Sequence, residues 1–229
     1  MAGRDGSAPF ELAEVVERYE SWYATPYGRI ADELERGMLR ELLAPLAPGA
    51  TILEVGCGTG HFAAAFAGAG YRVAGVDPSP SMLAVARGRV PVVQADGLRL
   101  PFRDGAFDGA FAISVLEFVA DPAGLLAEAR RVARRRVVIV AIDARSYLGL
   151  RRRAAGWLGH PIFSRARLRS RGELLDAARA AGAVVEDTRS ALLLPPALAG
   201  RFPALERSLS RRSPVLGGVF AMALSGGAP

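Results

Sequence analysis

The chain of 229 residues contains no lysine, no asparagine and one cysteine, and only 7% of it is aromatic. A lone Cys57 excludes an intramolecular disulfide and any multi-cysteine metal site, and no other metal-ligating cluster is read. No apolar run reaches the roughly 18–20 residues that span a bilayer. The longest, Val137 to Ile142 and Val215 to Leu224, suit buried strands. The N-terminus carries acidic residues and lacks a basic-then-apolar leader pattern, so a cytoplasmic location is expected. Without lysine, all 29 basic residues are arginine, and the net charge is +6. Beside 26 glycines, 15 prolines and abundant alanine, this usage reads as GC-rich coding. The charge is then a solvated arginine surface; the other reading is a patch for acidic partners.

What is present is a globular pattern, with 51% apolar residues and enough length for one large domain. The first 50 residues read as two helices. One runs from Pro9 to Ala24, with Phe10, Ala13, Val16, Tyr19, Trp22 and Tyr23 near one face. The other runs from about Arg29 to Leu43, before Pro45, Pro48 and Gly49. From Thr51, short β-type runs alternate with amphipathic helices, the pattern of an α/β doubly wound, mostly parallel sheet with helices on both faces. Strands are predicted at Thr51–Val55, Arg72–Val76, Val92–Gln94, Phe107–Ser114 and Val137–Ile142. The helices between them fall at about Gly60–Ala69, Ser79–Arg87 and Asp121–Arg134. Beyond Asp143 a basic stretch, Arg145 to Arg171, holds a helix, and another covers Arg171–Ala181. Strand-like runs follow at Val184–Leu194 and Val215–Leu224, the last expected to pair antiparallel. No second core is visible.

The segment Ile52-Leu-Glu-Val-Gly-Cys-Gly-Thr-Gly-His-Phe62 carries the functional reading. A buried strand ends at Val55, turns through Gly56, Gly58 and Gly60, and enters a helix. Glycines permit unusual backbone angles and let a ligand lie against the main chain, while the helix start offers free N–H donors. Asp77 closes the second strand, 21 residues after Gly56, where this fold places an acid for a ribose diol. Asp96 ends the third strand, suited to an adenine amino group. Each acid can equally be a helix N-cap, but together with the glycine turn their spacing favours a nucleoside ligand. The fourth strand, through Phe107-Asp-Gly-Ala-Phe-Ala-Ile-Ser114, would point its carboxyl end into the same crevice.

These four segments, over roughly Thr51 to Ile142, resemble the motif series of class I S-adenosylmethionine (SAM)-dependent methyltransferases, in the type 11 group typified by ubiquinone/menaquinone C-methyltransferases. Tyr19-Glu-Ser-Trp-Tyr-Ala-Thr-Pro-Tyr-Gly28 is a weaker echo. The resemblance implies a Rossmann-like domain over 51–229 with a helical lid over 1–50. It implies that Glu54, Gly56, Gly58 and Gly60 surround the methionyl part of the cofactor. Asp77 would hold the ribose, Met82 would pack near the adenine, Asp96 would contact its amino group, Gly97 and Leu98 would add backbone contacts, and Ser114 would sit beside the methionine moiety. The lid aromatics Tyr19, Trp22 and Tyr23 can equally be simple packing.

Two rivals have different chemistry. Gly58, Gly60 and Ala63 can be forced into a nicotinamide-type G-x-G-x-x-A with Asp77. Against it, no separate catalytic domain is visible, and a chain without lysine cannot carry a Tyr-x-x-x-Lys pair. A non-catalytic SAM-binding fold-mate or basic scaffold is the other. Among methyltransferases, the exocyclic-amine DNA tetrad is absent, since its place reads Ile113-Ser-Val-Leu116. Cytosine C5 chemistry needs a cysteine nucleophile in the pocket, whereas Cys57 lies inside the glycine turn; a multi-thiol arsenic site fails with one cysteine, and a catechol-type metal site fails on its missing asparagine. No nucleic-acid recognition motif accompanies the arginines. A small, hydrophobic methyl acceptor is expected, with C- or O-methylation favoured and peripheral contact with an anionic membrane open. Glu117 and His160 are the candidate general bases, Asp143 and Tyr23 weaker ones, and His61 a structural or cofactor-side residue. Tyr147, Trp157 and Phe163 are expected to line the acceptor pocket.

Overall fold

A computed structural model describes residues 10, 13–212 and 217–227. Seven strands form one sheet in the order β3-β2-β1-β4-β5-β7-β6. β1 (Thr51–Val55), β2 (Arg72–Asp77), β3 (Val92–Gln94), β4 (Phe107–Ile113) and β5 (Ala133–Ile142) run parallel; β7 (Val219–Ser225) lies antiparallel between β5 and β6 (Val185–Ala191). The expected Rossmann-like α/β sheet with its antiparallel C-terminal strand is therefore present.

Strand alternation builds two cores. On β5, Val138, Val140 and Ile142 face the side covered by α2 (Pro26–Leu43) and α3 (His61–Gly68), with Leu39, Leu42 and Phe66. Val137, Ile139 and Ala141 face the other side, under α5 (Pro122–Val132) and α7 (Arg171–Ala180), with Leu125, Leu126 and Leu174. β7 follows the same rule, sending Phe220, Met222 and Leu224 to the α5–α7 side and Ala221 and Ala223 to the other.

Local chemistry sets the boundaries. α1 (Ala13–Tyr23) gives way to α2 at Thr25, whose hydroxyl accepts from Gly28 N at 2.9 Å with Pro26 in the first turn, three residues before the predicted start. The predicted first-helix start at Pro9 and the predicted strand start at Val215 lie outside the described residues. α4 (Pro80–Ala86) is capped by Ser79 and α5 by Asp121. β5 starts at Ala133, directly after α5, and takes Arg134 out of the predicted helix. β4 stops at Ile113 because Ser114 is left-handed, with φ 52°, and β6 stops before Leu192, with φ 65°. Two short helices went unpredicted, α8 (Pro196–Arg201) and α9 (Pro203–Arg212), between β6 and β7. Their prolines at the first helical turn read as breakers in sequence. α6 (Tyr147–Trp157) fills the basic stretch. Among the described residues no helix is long and apolar enough to cross a membrane.

The sheet reverses direction of winding between β1 and β4, which places a crevice at their carboxyl ends. The opposite ends of this pair are pinned by Asp108. Its Oδ2 accepts from Thr51 N and Thr51 Oγ1, both at 2.8 Å, and its Oδ1 meets Arg134 at 2.8 Å. The Thr51 amide, chiefly, holds the Asp108 carboxyl down at about 2, below the ordinary 3.8. A depressed carboxyl contributes stability that is full above its unfolded pKa and is lost as pH falls through its folded one. We therefore expect urea-unfolding stability of the wild type to fall relative to Asp108→Asn as pH drops from 3.8 to about 2. Parallel pH profiles for the two proteins would refute this role.

Candidate functional site

The turn after β1 is shaped by hydrogen bonds to β2. Gly56 N and Cys57 N both donate to Val76 O, at 2.8 and 2.9 Å. Gly56 has φ 72°, and a Cβ there would come 2.4 Å from Val115 Cγ2, so no other residue fits the turn. Asp77 secures the next step: Oδ2 accepts from Gly58 N at 2.8 Å and Oδ1 from Ser79 N at 2.9 Å. Burial raises the Asp77 pKa, and these two amides oppose the rise. Each oxygen retains a lone pair for a further donor.

A cavity of about 540 Å³ opens over these strand ends. Gly56, Gly58, Asp77 and Met82 line one side of it. Asp96, Gly97, Leu98 and Ser114 line it from the ends of β3 and β4, with Asp96 Oδ1 accepting from Leu98 N at 2.9 Å. Ser114 N donates to Val140 O at 2.9 Å, and its left-handed backbone sits at the cavity wall. Two expected cofactor residues stand behind this wall. Glu54 is buried and its Oε2 accepts from Ala63 N at 2.8 Å, tying β1 to α3; Gly60, with φ 76°, starts α3 against Ala86.

The far side of the cavity is polar where it matters. Glu117 is 3% exposed; Oε1 accepts from Ile142 N at 2.7 Å, while Oε2 has no partner among the described residues. Burial pushes its carboxyl up to about 7, against the pull of the Ile142 amide. The Glu117 loop is braced from outside, where Arg167 N donates to Glu117 O at 2.6 Å and Arg169 donates to Leu116 O and Val119 O. His160 also lines the cavity, with Nδ1 accepting from Ile162 N at 3.3 Å, which leaves the proton on Nε2. Burial lowers the His160 pKa, and Arg152 and Arg18 lower it further.

Glu35 and Tyr27 also line the cavity and were not among the site residues read from the sequence, and Arg152, from the basic segment, joins them. Glu35 is 7% exposed, and burial, with the charges of Asp32 and Glu117, pushes it up to about 8. Its signal was available, because Glu35 occupies the buried stripe Ala31, Glu35, Met38, Leu42 of α2, where an apolar residue belongs. The Arg152 guanidinium lies 4.2 Å from the Phe163 ring centroid, and its Nε has no partner among the described residues. Of the expected acceptor aromatics, Phe163 lines the cavity. Tyr147 and Trp157 do not, and are 55% and 81% exposed, because the phase of α6 turns Leu148 and Arg152 inward instead. Asp143 is also off the cavity, accepting from Arg145 N at 3.0 Å.

The N-terminal segment closes the top. Phe10, Arg18, Tyr19, Trp22 and Tyr23 all line the cavity. Ser79 Oγ donates to Phe10 O at 2.9 Å, Tyr23 stacks on His61 at 3.8 Å, and Glu20 joins Arg89 at 2.6 Å and Thr59. His61 itself faces Asp32, with Nε2 2.8 Å from its Oδ1.

Known proteins resemble this chain in sequence and in fold. Residues 53–141 match a family model described as a methyltransferase domain. An uncharacterized methyltransferase of Mycobacterium avium is 44% identical over 93 residues, covering 38% of this chain and 37% of that protein. An uncharacterized protein of Methanocaldococcus jannaschii is 38% identical over 132 residues, covering 56% and 62%. The chain thus spans less than two thirds of the length of these relatives. A crystal structure from Thermotoga maritima, of a SAM-dependent methyltransferase described as a possible histamine N-methyltransferase, superposes with a TM-score of 0.73 at 26% identity, over 96% of this chain and 99% of that one. The nicotinamide reading falls with these matches. Residues 53–141 thus match a methyltransferase domain, and the chain as a whole has the fold of a SAM-dependent methyltransferase.

Proposed function

We propose that the protein transfers a methyl group from SAM to a small, predominantly apolar metabolite, with Glu117 as the general base where the acceptor must lose a proton. One observation carries this reading. A buried carboxylate with a free oxygen shares a single cavity with the glycine turn and both ribose- and adenine-directed acids. The chain's own residues fit the cofactor: Gly56 and Gly58 leave a cradle without side chains, and Asp77 keeps lone pairs directed at the cavity. When bound, SAM supplies a methyl group already activated by its sulfonium.

In this proposal Asp77 holds the ribose, Met82 packs on the adenine, and Asp96, Gly97 and Leu98 read the adenine edge. Gly56, Gly58 and Ser114 border the methionyl end, and Glu54 and Gly60 support the turn from behind. The acceptor lies between Glu117, Glu35, Arg152 and the aromatic wall of Trp22, Tyr27 and Phe163. The size supports a metabolite over a macromolecule, since pockets of roughly 300–1,000 Å³ enclose small ligands. The apolar walls keep water out, so that transfer depends on in-line positioning. His160, neutral and with its Nε2 proton available, orients the acceptor. C- and O-methylation are favoured, because the proton on such an acceptor requires a base of the kind Glu117 provides. The N-terminal helices over 1–50 act as a lid on the domain over 51–229. We place this chemistry in the cytoplasm, where a lone thiol such as Cys57 stays reduced.

Calorimetric titration tests the cofactor half. Wild-type protein should bind SAM and S-adenosylhomocysteine saturably and NAD not at all. Asp77→Ala should weaken both by about 10–100-fold, the loss of hydrogen bonds to a charged group. No SAM binding by folded protein would return the scaffold reading to the front. The chemical half is tested with radiolabelled SAM against a metabolite collection. On the acceptor found, Glu117→Gln should lower kcat by roughly 10²–10⁴-fold with SAM affinity unchanged. A base must be deprotonated to act, so wild-type kcat/KM should rise with pH through about 7 and the variant's should not. An unchanged rate in Glu117→Gln, or methylation of RNA or protein alone, would refute this half.

A further inference from the structure

α6 presents two unlike faces. Inward, Leu148 is buried and Arg152 lines the cavity. Gly156 presses so closely on the body that a Cβ there would come 2.5 Å from Phe163 O, so the helix cannot rotate without losing this seat. Outward, Tyr147, Leu150, Ala154 and Trp157, with Leu158 just beyond the last turn, fall within an arc of about 100° at 3.6 residues per turn. The large members are 55%, 56%, 81% and 88% exposed for Tyr147, Leu150, Trp157 and Leu158, and Ala154 is exposed too. Scattered single apolar residues on a surface need no explanation, but a stripe along one helix does.

Charge frames the stripe. Arg151 and Arg153 flank its two edges and are exposed, and Arg153 lies 5.9 Å from the Trp157 ring centroid. Between Asp143 and Glu173 there are eight arginines and no acidic residue. Arg169 is used inward, on the Glu117 loop. Arg151, Arg153, Arg165 and Arg167 are exposed and form no ion pair among the described residues. An apolar strip with tryptophan and leucine at its centre and arginine along its rims is the form of a helix that lies in a membrane interface, apolar face down and cations at the headgroups.

We propose that α6 and the arginines beside it dock the protein on an anionic lipid surface. A second copy of this chain fits less well, because two such faces would bring eight arginines together without an acid between them. The docked helix is also a wall of the cavity, so the surface that touches lipid and the chamber for an apolar acceptor are separated by the width of one helix.

The test uses the full chain with vesicles of phosphatidylcholine alone or of phosphatidylcholine mixed with phosphatidylglycerol, read by co-sedimentation. Wild type should bind the anionic vesicles at least about tenfold more tightly than the neutral ones, and less tightly as salt rises. The double variant Trp157→Ser with Leu158→Ser, and separately Arg151→Gln with Arg153→Gln, should each weaken that binding by about tenfold or more. Both should keep wild-type SAM affinity, since none of the four residues lines the cavity. Absence of binding to the anionic vesicles, or binding that survives both double variants, would overturn the proposal. So would a concentration-dependent dimer in light scattering that the Trp157 and Leu158 substitutions abolish. None of these outcomes touches methyl transfer, which is measured in solution without lipid.

Discussion

The site depends on one carboxylate bridging two strand ends. Asp77 takes the amide of Gly58 on one oxygen and that of Ser79 on the other, so the glycine turn after β1 and the start of α4 are positioned by the same group. Burying a carboxylate is costly unless donors compensate, and here two backbone amides do so. Glu54, one strand over and buried, has the Ala63 amide on Oε2, and burial drives its pKa well up. The contrast separates their uses. Glu54 is a strut between β1 and α3, whereas Asp77 stays open to the cavity with acceptor capacity left.

From that bridge the rest of the cavity follows by strand order. Because β1 lies between β2 and β4, the turns leaving all three converge at one edge of the sheet. Glu117 reaches the cavity only because β4 ends at a left-handed Ser114 and the chain doubles back through Val115 and Leu116 before α5. Its position then depends on β5, whose Ile142 amide holds one carboxylate oxygen, and on the Arg167–Arg169 segment, which braces the loop. Proton affinity at Glu117 is thus raised chiefly by burial and held back by the Ile142 amide and, less strongly, by the Arg169 charge.

Those parts that obey local rules were legible in the sequence. Asp77 ends β2, Gly56 directly follows β1 and Asp96 lies two residues past β3, and a strand end projects its residues toward the crevice whatever the helices do. The sheet itself was legible for the same reason, since period-two alternation and glycine turns are short-range signals. Glu35 was hidden because its meaning depends on which face of a helix meets the body. It sits one helical turn from buried Ala31, and only that phase distinguishes it from a solvated charge, as the phase from Leu148 singles out Arg152 among the arginines around it. The same phase turned Tyr147 and Trp157 away from the pocket they were expected to line. α8 and α9 were missed for a different reason: Pro196 and Pro203 start helices there, and a proline is read first as a stop.

The walls of the cavity differ in what holds them. The floor is sheet and deep core. The cover, α1 with Phe10, is fastened by buried Val15 and Val16, by Trp22 and Tyr23 packed on the core, and by polar contacts at its edge: a Glu20–Arg89 pair about one-third exposed and a hydroxyl on the Phe10 carbonyl. Exposed ion pairs contribute little, roughly 0–1 kcal/mol each. α6, by contrast, is seated through Leu148 and Gly156, and its outer apolar stripe costs nothing to keep only where something other than water covers it. Cover and wall of the same chamber are thus held by different means, α1 by packing with polar contacts at its edge and α6 by Leu148 and the close seat of Gly156.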